Sequence, residues 1–306
     1  MRPGRLQDLP GLRALWAHEA ANRVRDCVPG EAMIAGLMAS FDWGARSRVI
    51  EDGPRLRAAV LVLEQSSKGI TVARVETAAR DDGDRLRLIN WGVGLSRAAG
   101  AAVAQVWRPI GHRQDMAQLG LSFVRPFWRM DRRDPGDVPF LALPAGYRLA
   151  RLADRRTAIE VFNRSFAEHW RFQALDPDDP PRISRPPELQ ILAETCDGVP
   201  AAIVWCSLDT FDPDPRPQPV GIVEVVGTLL EHRRRGLGYT LTAEALRRLA
   251  RHGAATATLF VDGLNPTHAY DIYRRLGFAV AFEYEVFEAD FSGRPATANG
   301  CGAITA

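Results

Sequence analysis

Arg233-Arg234-Arg235-Gly236-Leu237-Gly238 decides how this chain is read. It follows the apolar run Val220-Gly221-Ile222-Val223-Glu224-Val225-Val226-Gly227. It precedes a segment, about Gly236 to His252, in which Leu237, Leu241, Ala245 and Leu249 recur at helical spacing. Strand, basic glycine loop and helix together suit a polyphosphate. Glycine lets backbone approach the ligand, and a first helical turn offers spare N–H donors at a positive dipole end.

A second signal lies downstream. Asn265-Pro266 reads as a helix start and Gly277-Phe278 as its stop. Between them Ala269, Ile272, Tyr273 and Leu276 form an apolar stripe. The apolar run Ala257 to Val261 precedes it as a strand. The two motifs, in this order and at this separation, resemble the GNAT acetyltransferase superfamily. The likeness covers about residues 146 to 290.

That resemblance implies acetyl-CoA as cosubstrate. Its pyrophosphate would lie on Arg233, Arg234, Arg235, Gly236, Leu237, Gly238 and Tyr239, with Arg233 adding charge. Its pantetheine arm would run along Val225, Val226, Gly227 and Thr228, beside Asn265, Tyr270 and Tyr273. Tyr273 is the candidate general acid for the departing thiolate, with Tyr270 the alternative. Glu224 is the candidate base and the only carboxylate in its strand. The family's usual glutamate falls here on Ile222, and Glu224, two residues on, shares that face. His169 and Trp170, at the end of a helix from about Asp154 to Trp170, and Phe172 in the loop after it are the candidate wall for the acceptor.

The expected fold is α/β, with two tandem GNAT-like domains, each a mixed, mostly antiparallel sheet flanked by helices. The boundaries expected are 1–134, a linker at 135–145 rich in Pro and Gly, 146–291, and a small polar tail at 292–306. Hairpin signals at Asp52-Gly53 and Asp197-Gly198, and helices before Gly120 and Gly277, give both halves one plan. Gly83 precedes Gly236 by 236 − 83 = 153 positions, and Gly120 precedes Gly277 by 277 − 120 = 157.

The first half carries Asp81, Asp82 and Asp84 where the second carries arginines. A carboxylate ~4 Å from a phosphate costs roughly 1 to 4 kcal/mol per pair. At these two offsets, Arg85 replaces the second glycine and Met116 replaces the tyrosine. This half is read as having lost its cofactor. The tandem plan with one altered half resembles the mycothiol synthase subfamily, which implies an amine on a sugar-linked cysteine. Antibiotics, polyamines and amino acid derivatives stay open.

Composition narrows the class. The 306 residues suffice for two domains, and 46% hydrophobic with 25% charged residues is globular. Thirty-nine basic against 37 acidic residues give +2, no reason to expect nucleic acid. Lys68 is the only lysine. Cys27, Cys196, Cys206 and Cys301 form no Cys-x-x-Cys pair, so no metal site or disulfide framework is expected. No signal peptide or membrane-spanning run is read, and the expected setting is cytoplasmic. The expected partner is a small-molecule amine acceptor, the chain being a monomer or homodimer. The reading from another class is a non-catalytic acyl-CoA-binding or sensing module.

Overall fold

A computed structural model of the chain describes residues 1–28, 34, 38, 41–150, 155–178, 186–209, 216–265 and 269–293. Sequence pattern also predicts a helix from about Glu31 to Phe41, which lies largely outside the described residues. So do Pro266, Cys301, and parts of the tail and of the loops at 177–187 and 212–219.

The first unit comprises residues 1–22, 38–124 and 285–306. Its elements are β1 (Arg2–Pro3), α1 (Leu9–Ala21), α2 (Trp43–Arg46), β2 (Ser47–Asp52), β3 (Arg55–Ser67), β4 (Ile70–Ala79), α3 (Asp82–Ala98), β5 (Val103–Pro109) and α4 (Arg113–Gln118). The strands run in the order β1-β2-β3-β4-β5, antiparallel except for the parallel pair β4–β5. Gly53 turns the first hairpin at φ 57°. The β3–β4 turn is Lys68-Gly69, with both φ values positive, the conformation that matches strand twist in a two-residue hairpin. Apolar faces of β3, β4 and α3 close on Val60, Val75, Leu88 and Ile89, and Phe287 from the chain's last strand completes the core.

The second unit comprises residues 23–37 and 125–284. The two units are not divided at the 135–145 linker alone: residues 23–37 and 125–134 belong to the second unit and 285–306 to the first. Alternation of apolar residues marks a strand but not its partner, so sequence pattern is blind to this. The strands are β6 (Ser122–Arg133), β7 (Tyr147–Leu149), β8 (Gln190–Thr195), β9 (Pro200–Asp209), β10 (Val220–Thr228), β11 (Thr256–Asp262) and β12 (Ala279–Asp290). The helices are α5 (Arg155–Phe166), α6 (Leu237–Arg251) and α7 (Ala269–Arg275). Six strands follow the order β6-β11-β10-β9-β8-β7, with β10–β11 parallel. α6 buries Leu237, Leu241, Ala245 and Leu249 against one face of β9 and β10, as the stripe required. α5 covers the other face through Ile159 and Val161. Among the described residues no helix is long and apolar enough to cross a membrane.

Candidate functional site

The site starts from a defect in β10. Its ladder with β9 shifts register between Val223 and Val225, so Glu224 is the extra residue of a β-bulge. The parallel ladder with β11 runs from Val220–Thr256 to Val223–Leu259 and stops there. Both strands continue, β10 to Thr228 and β11 to Asp262. The two strands therefore fork at the bulge. On its other edge β10 stays paired, Val225 to Trp205 through Thr228 to Ala202. Past the fork, β10 has no ladder to β11 at Val225, Val226, Gly227 and Thr228. Gly227 has a packing reason as well: a Cβ there would meet Phe166 and Ser165 of α5 at 3.1 Å.

After β10 the chain makes a 3-10 turn at Leu230–His232 and enters the arginine loop. Arg234 adopts φ 63° and Gly236 φ 87°, both left-handed, and Gly236 is the N-cap of α6. The first bond of the helix runs from Thr240 N–H to Gly236 O at 3.1 Å. Amides of Leu237, Gly238 and Tyr239 lie ahead of that ladder, with the positive end of a 15-residue helix behind them. Arg234, Arg235 and Gly236 are exposed. Arg233 is not free to join them. Its Nε donates to Thr228 O at 3.1 Å and its guanidinium to Ser165 O at 3.2 Å, with Glu168 at 3.9 Å. Arg233 thus ties the loop to the ends of β10 and α5, a role its sequence context did not disclose.

α7 docks beside this helix start. A Cβ on Gly238 would lie 3.4 Å from Ile272 Cδ1, and the Arg275 guanidinium sits 4.6 Å from the Tyr239 ring centroid. Tyr273 is buried in the α6-side core, edge-on to Phe278 at 6.1 Å. Burial pushes its phenol well above the ordinary tyrosine range, so it keeps its proton at neutral pH. Tyr270 lies edge-on to Trp128 at 5.6 Å. Asn265 is buried, and its N–H donates to Asp262 O at 3.1 Å. Asp262 also accepts from Leu264 N–H and is ion-paired with Arg125.

On the α5 face, Glu224 is exposed and accepts a hydrogen bond from Ser207 Oγ at 2.7 Å. Ser207 is the partner of Ile222, so Glu224 and Ile222 share a face as alternation predicts, and the bulge brings Val225 to the same side. Phe172 packs on Phe162 at 5.5 Å, and Phe162 stacks on Trp205 at 5.2 Å. His169 lies against Phe166 at 4.5 Å, while Trp170 carries the Arg125 guanidinium at 4.2 Å. α5 ends at Phe166, so all three follow the helix rather than finish it. Sequence reading missed Arg125 and Ser207, which sit on strands without a motif of their own. Among the described residues no cluster of His, Cys, Asp and Glu could hold a metal ion.

The equivalent place in the first unit is filled. β4 and β5 also part, after Arg74–Gln105. The N-cap of α3 is Asp81, and its carboxylate accepts the Asp84 N–H at 2.9 Å. The N-cap equivalence pairs Asp81 with Gly236 and Gly83 with Gly238. Gly83 therefore holds the second glycine's place, and Arg85 stands two positions further on. Arg85 is 3% exposed, pairs with the buried Glu19, and donates to Ala79 O at 2.8 Å. Asp84 is paired with Arg57, and Asp82 with Arg85 at 3.1 Å and Arg108 at 3.3 Å. Burial, then the like charge of Arg85, pulls the Arg108 guanidinium down to about 10. Met116, in the tyrosine's place, is fully buried.

A forked parallel pair, a bulge before the fork and bare amides at the next helix define a GNAT-type fold, here in tandem. Residues 216–287 match the FR47-like protein family. The chain is similar over 94% of its length to a GCN5-related N-acetyltransferase from Sphaerobacter thermophilus, with TM-score 0.75, 20% identity and 94% of that chain covered. It is similar over 96% of its length to a tandem GNAT protein of the clavulanic acid biosynthesis pathway, with TM-score 0.66, 16% identity and 98% of that chain covered. A mycothiol acetyltransferase from Kytococcus sedentarius is 32% identical over 182 residues, 55% of this chain and 58% of the relative. The chain spans little more than half the length of the first curated relatives it matches. Its fold is that of tandem GNAT proteins.

Proposed function

We propose that the second unit binds acetyl-CoA and passes its acetyl group to a primary amine of a small molecule by direct attack, with both substrates bound together. The observation that carries this reading is the fork between β10 and β11 opening beside the unladdered amides of Leu237 to Tyr239. The residues present fit the coenzyme: a diphosphate needs convergent N–H donors, and a pantetheine arm needs a free strand edge. Gly236, Gly238 and their neighbours would hold the diphosphate. Val225 to Thr228 would pair with the arm. Acetyl-CoA would supply the activated acyl group.

The protein's own groups would handle the protons. Glu224, exposed on the acceptor face, would take the amine proton at a carboxylate oxygen, directly or through water. Tyr273 would give its phenolic proton to the sulfur that leaves. A raised phenol pKa keeps that proton in place until a thiolate forms. His169, Trp170 and Phe172, whose rings are already fixed by aromatic and arginine contacts, would border the acceptor. The first unit would act without coenzyme, since Asp81 already caps the helix that would receive a phosphate.

The curated relatives' name makes a cysteinyl amine joined to a sugar the first acceptor to try. The test is thiol release from acetyl-CoA across a panel of amines that includes it, for the parent and for Tyr273→Phe. Turnover by the parent with at least one amine, reduced in the variant, supports the proposal. Tight coenzyme binding without turnover on any amine would instead assign a binding module.

A further inference from the structure

We propose that Arg275 is a coenzyme-gripping side chain, closing on the diphosphate from the far side of the α6 amides; this rests on the acetyl-CoA reading above. A loop with three arginines suggests that one of them supplies the positive side chain. The structure points elsewhere. Arg233 is spent on Thr228 O and Ser165 O, and it faces Glu168. Arg234 and Arg235 project into solvent, where ordering a long side chain offsets most of the gain from a charge contact.

Arg275 differs in being held in advance. Its guanidinium lies 4.6 Å from the ring centroid of Tyr239, the third residue of α6. Ile272, one turn earlier on α7, reaches the backbone at Gly238, so α7 is seated on the first turn of α6. The cation therefore lies over a side chain of the first turn of α6, the turn whose amides would take the diphosphate. Among the described residues no carboxylate pairs with it. Stacking on a ring fixes the plane of a guanidinium and leaves its N–H edge free to grip two phosphate oxygens. A guanidinium already in place loses less entropy on binding. Tyr239 on this reading is the shelf that orients Arg275.

The experiment is calorimetric binding of CoA, 3′-dephospho-CoA and pantetheine to the full chain and to Arg275→Gln, at two salt concentrations. Arg275 is exposed, so the variant should fold; its melting temperature and circular dichroism verify this. Arg275→Gln should weaken CoA and dephospho-CoA alike, by roughly five- to twentyfold at low salt, with a shallower salt dependence and no change for pantetheine. Arg275→Lys should recover part of the loss, and Tyr239→Leu should mimic Arg275→Gln in milder form. Unchanged CoA binding in a folded Arg275→Gln would overturn the assignment. A loss confined to CoA, absent with dephospho-CoA, would overturn it too, by moving the contact to the 3′-phosphate. Failure of the parent to bind CoA at all would instead remove the acetyl-CoA reading beneath it.

Discussion

Val223 and Val225, two positions apart on β10, face opposite sides of the sheet: Val223 packs under α6 and Val225 under α5. In a regular strand they would share a face. The extra residue between them, Glu224, reverses the alternation at the place where β11 leaves the ladder. On the acetyl-CoA reading, this fork would leave Glu224 on the acceptor side and a main-chain edge for the coenzyme arm.

Glu224→Gln should preserve the bulge and the Ser207 hydrogen bond while removing the proton acceptor. The expected outcome is a fall in kcat of roughly 10²- to 10³-fold at neutral pH, with CoA affinity unchanged. Steady-state kinetics with a calorimetric titration checks both halves. A kcat within threefold of the parent would move the base to water or to another group.

Tyr273→Phe should lower kcat by roughly 10²-fold and leave CoA affinity within twofold. It also has a signature in stability. The folded phenol's pKa lies above its unfolded value because burial disfavours the phenolate. Its contribution is therefore complete below the unfolded pKa near 10 and is lost as pH rises toward the folded pKa. Thermal melts from pH 9 to 11 should fall more steeply for the parent than for the phenylalanine variant. Parallel curves would mean that the ring is less buried than the structure has it.

Arg234→Asp with Arg235→Asp should copy into the second unit the acidic character of the first. Both side chains are exposed, so the melting temperature should hold within a few degrees. CoA binding should weaken by more than tenfold at low salt, and added salt should narrow the gap. Calorimetry at two ionic strengths decides it; an unchanged affinity would contradict the placement of the diphosphate at this helix.

Glu19→Ala should behave in the opposite way. It strands the buried Arg85 guanidinium and removes the acceptor for Ala79 N–H at 3.0 Å. Breaking one partner of such a pair costs about 3–5 kcal/mol. A clear drop in denaturation midpoint with unchanged CoA affinity in the fraction that remains folded is expected. Loss of affinity without loss of stability would assign the first unit a direct part in binding.

Sequence carried much of this architecture because its signals are local. Gly236 and Gly277 hold left-handed φ values that few other residues accept, and the stripe Leu237, Leu241, Ala245, Leu249 is buried throughout. The bulge at Glu224 was not legible, because a bulge exists only relative to the partner strand, and Val-Glu-Val reads as plain alternation. Arg233 looked like a phosphate ligand because sequence shows its charge but not the carbonyls of Ser165 and Thr228 that occupy it. Counting at constant offset paired Gly83 with Gly236, since the second unit's extra turn at Leu230–His232 has no mark in composition. The caps pair Asp81 with Gly236 and supply a more direct reason than repulsion alone for the proposal that the first unit acts without coenzyme. Asp82 and Asp84 are already neutralised by arginines, whereas Asp81 occupies the amide that a phosphate would need.

The most direct measurement is a co-crystal structure of the full chain with coenzyme A. The account predicts one coenzyme per chain, its diphosphate on the amides of Leu237 to Tyr239 and its arm in the fork past Val223 and Leu259. Diphosphate density at Asp82-Gly83, or a saturating soak that leaves the Gly236 loop bare, would contradict it.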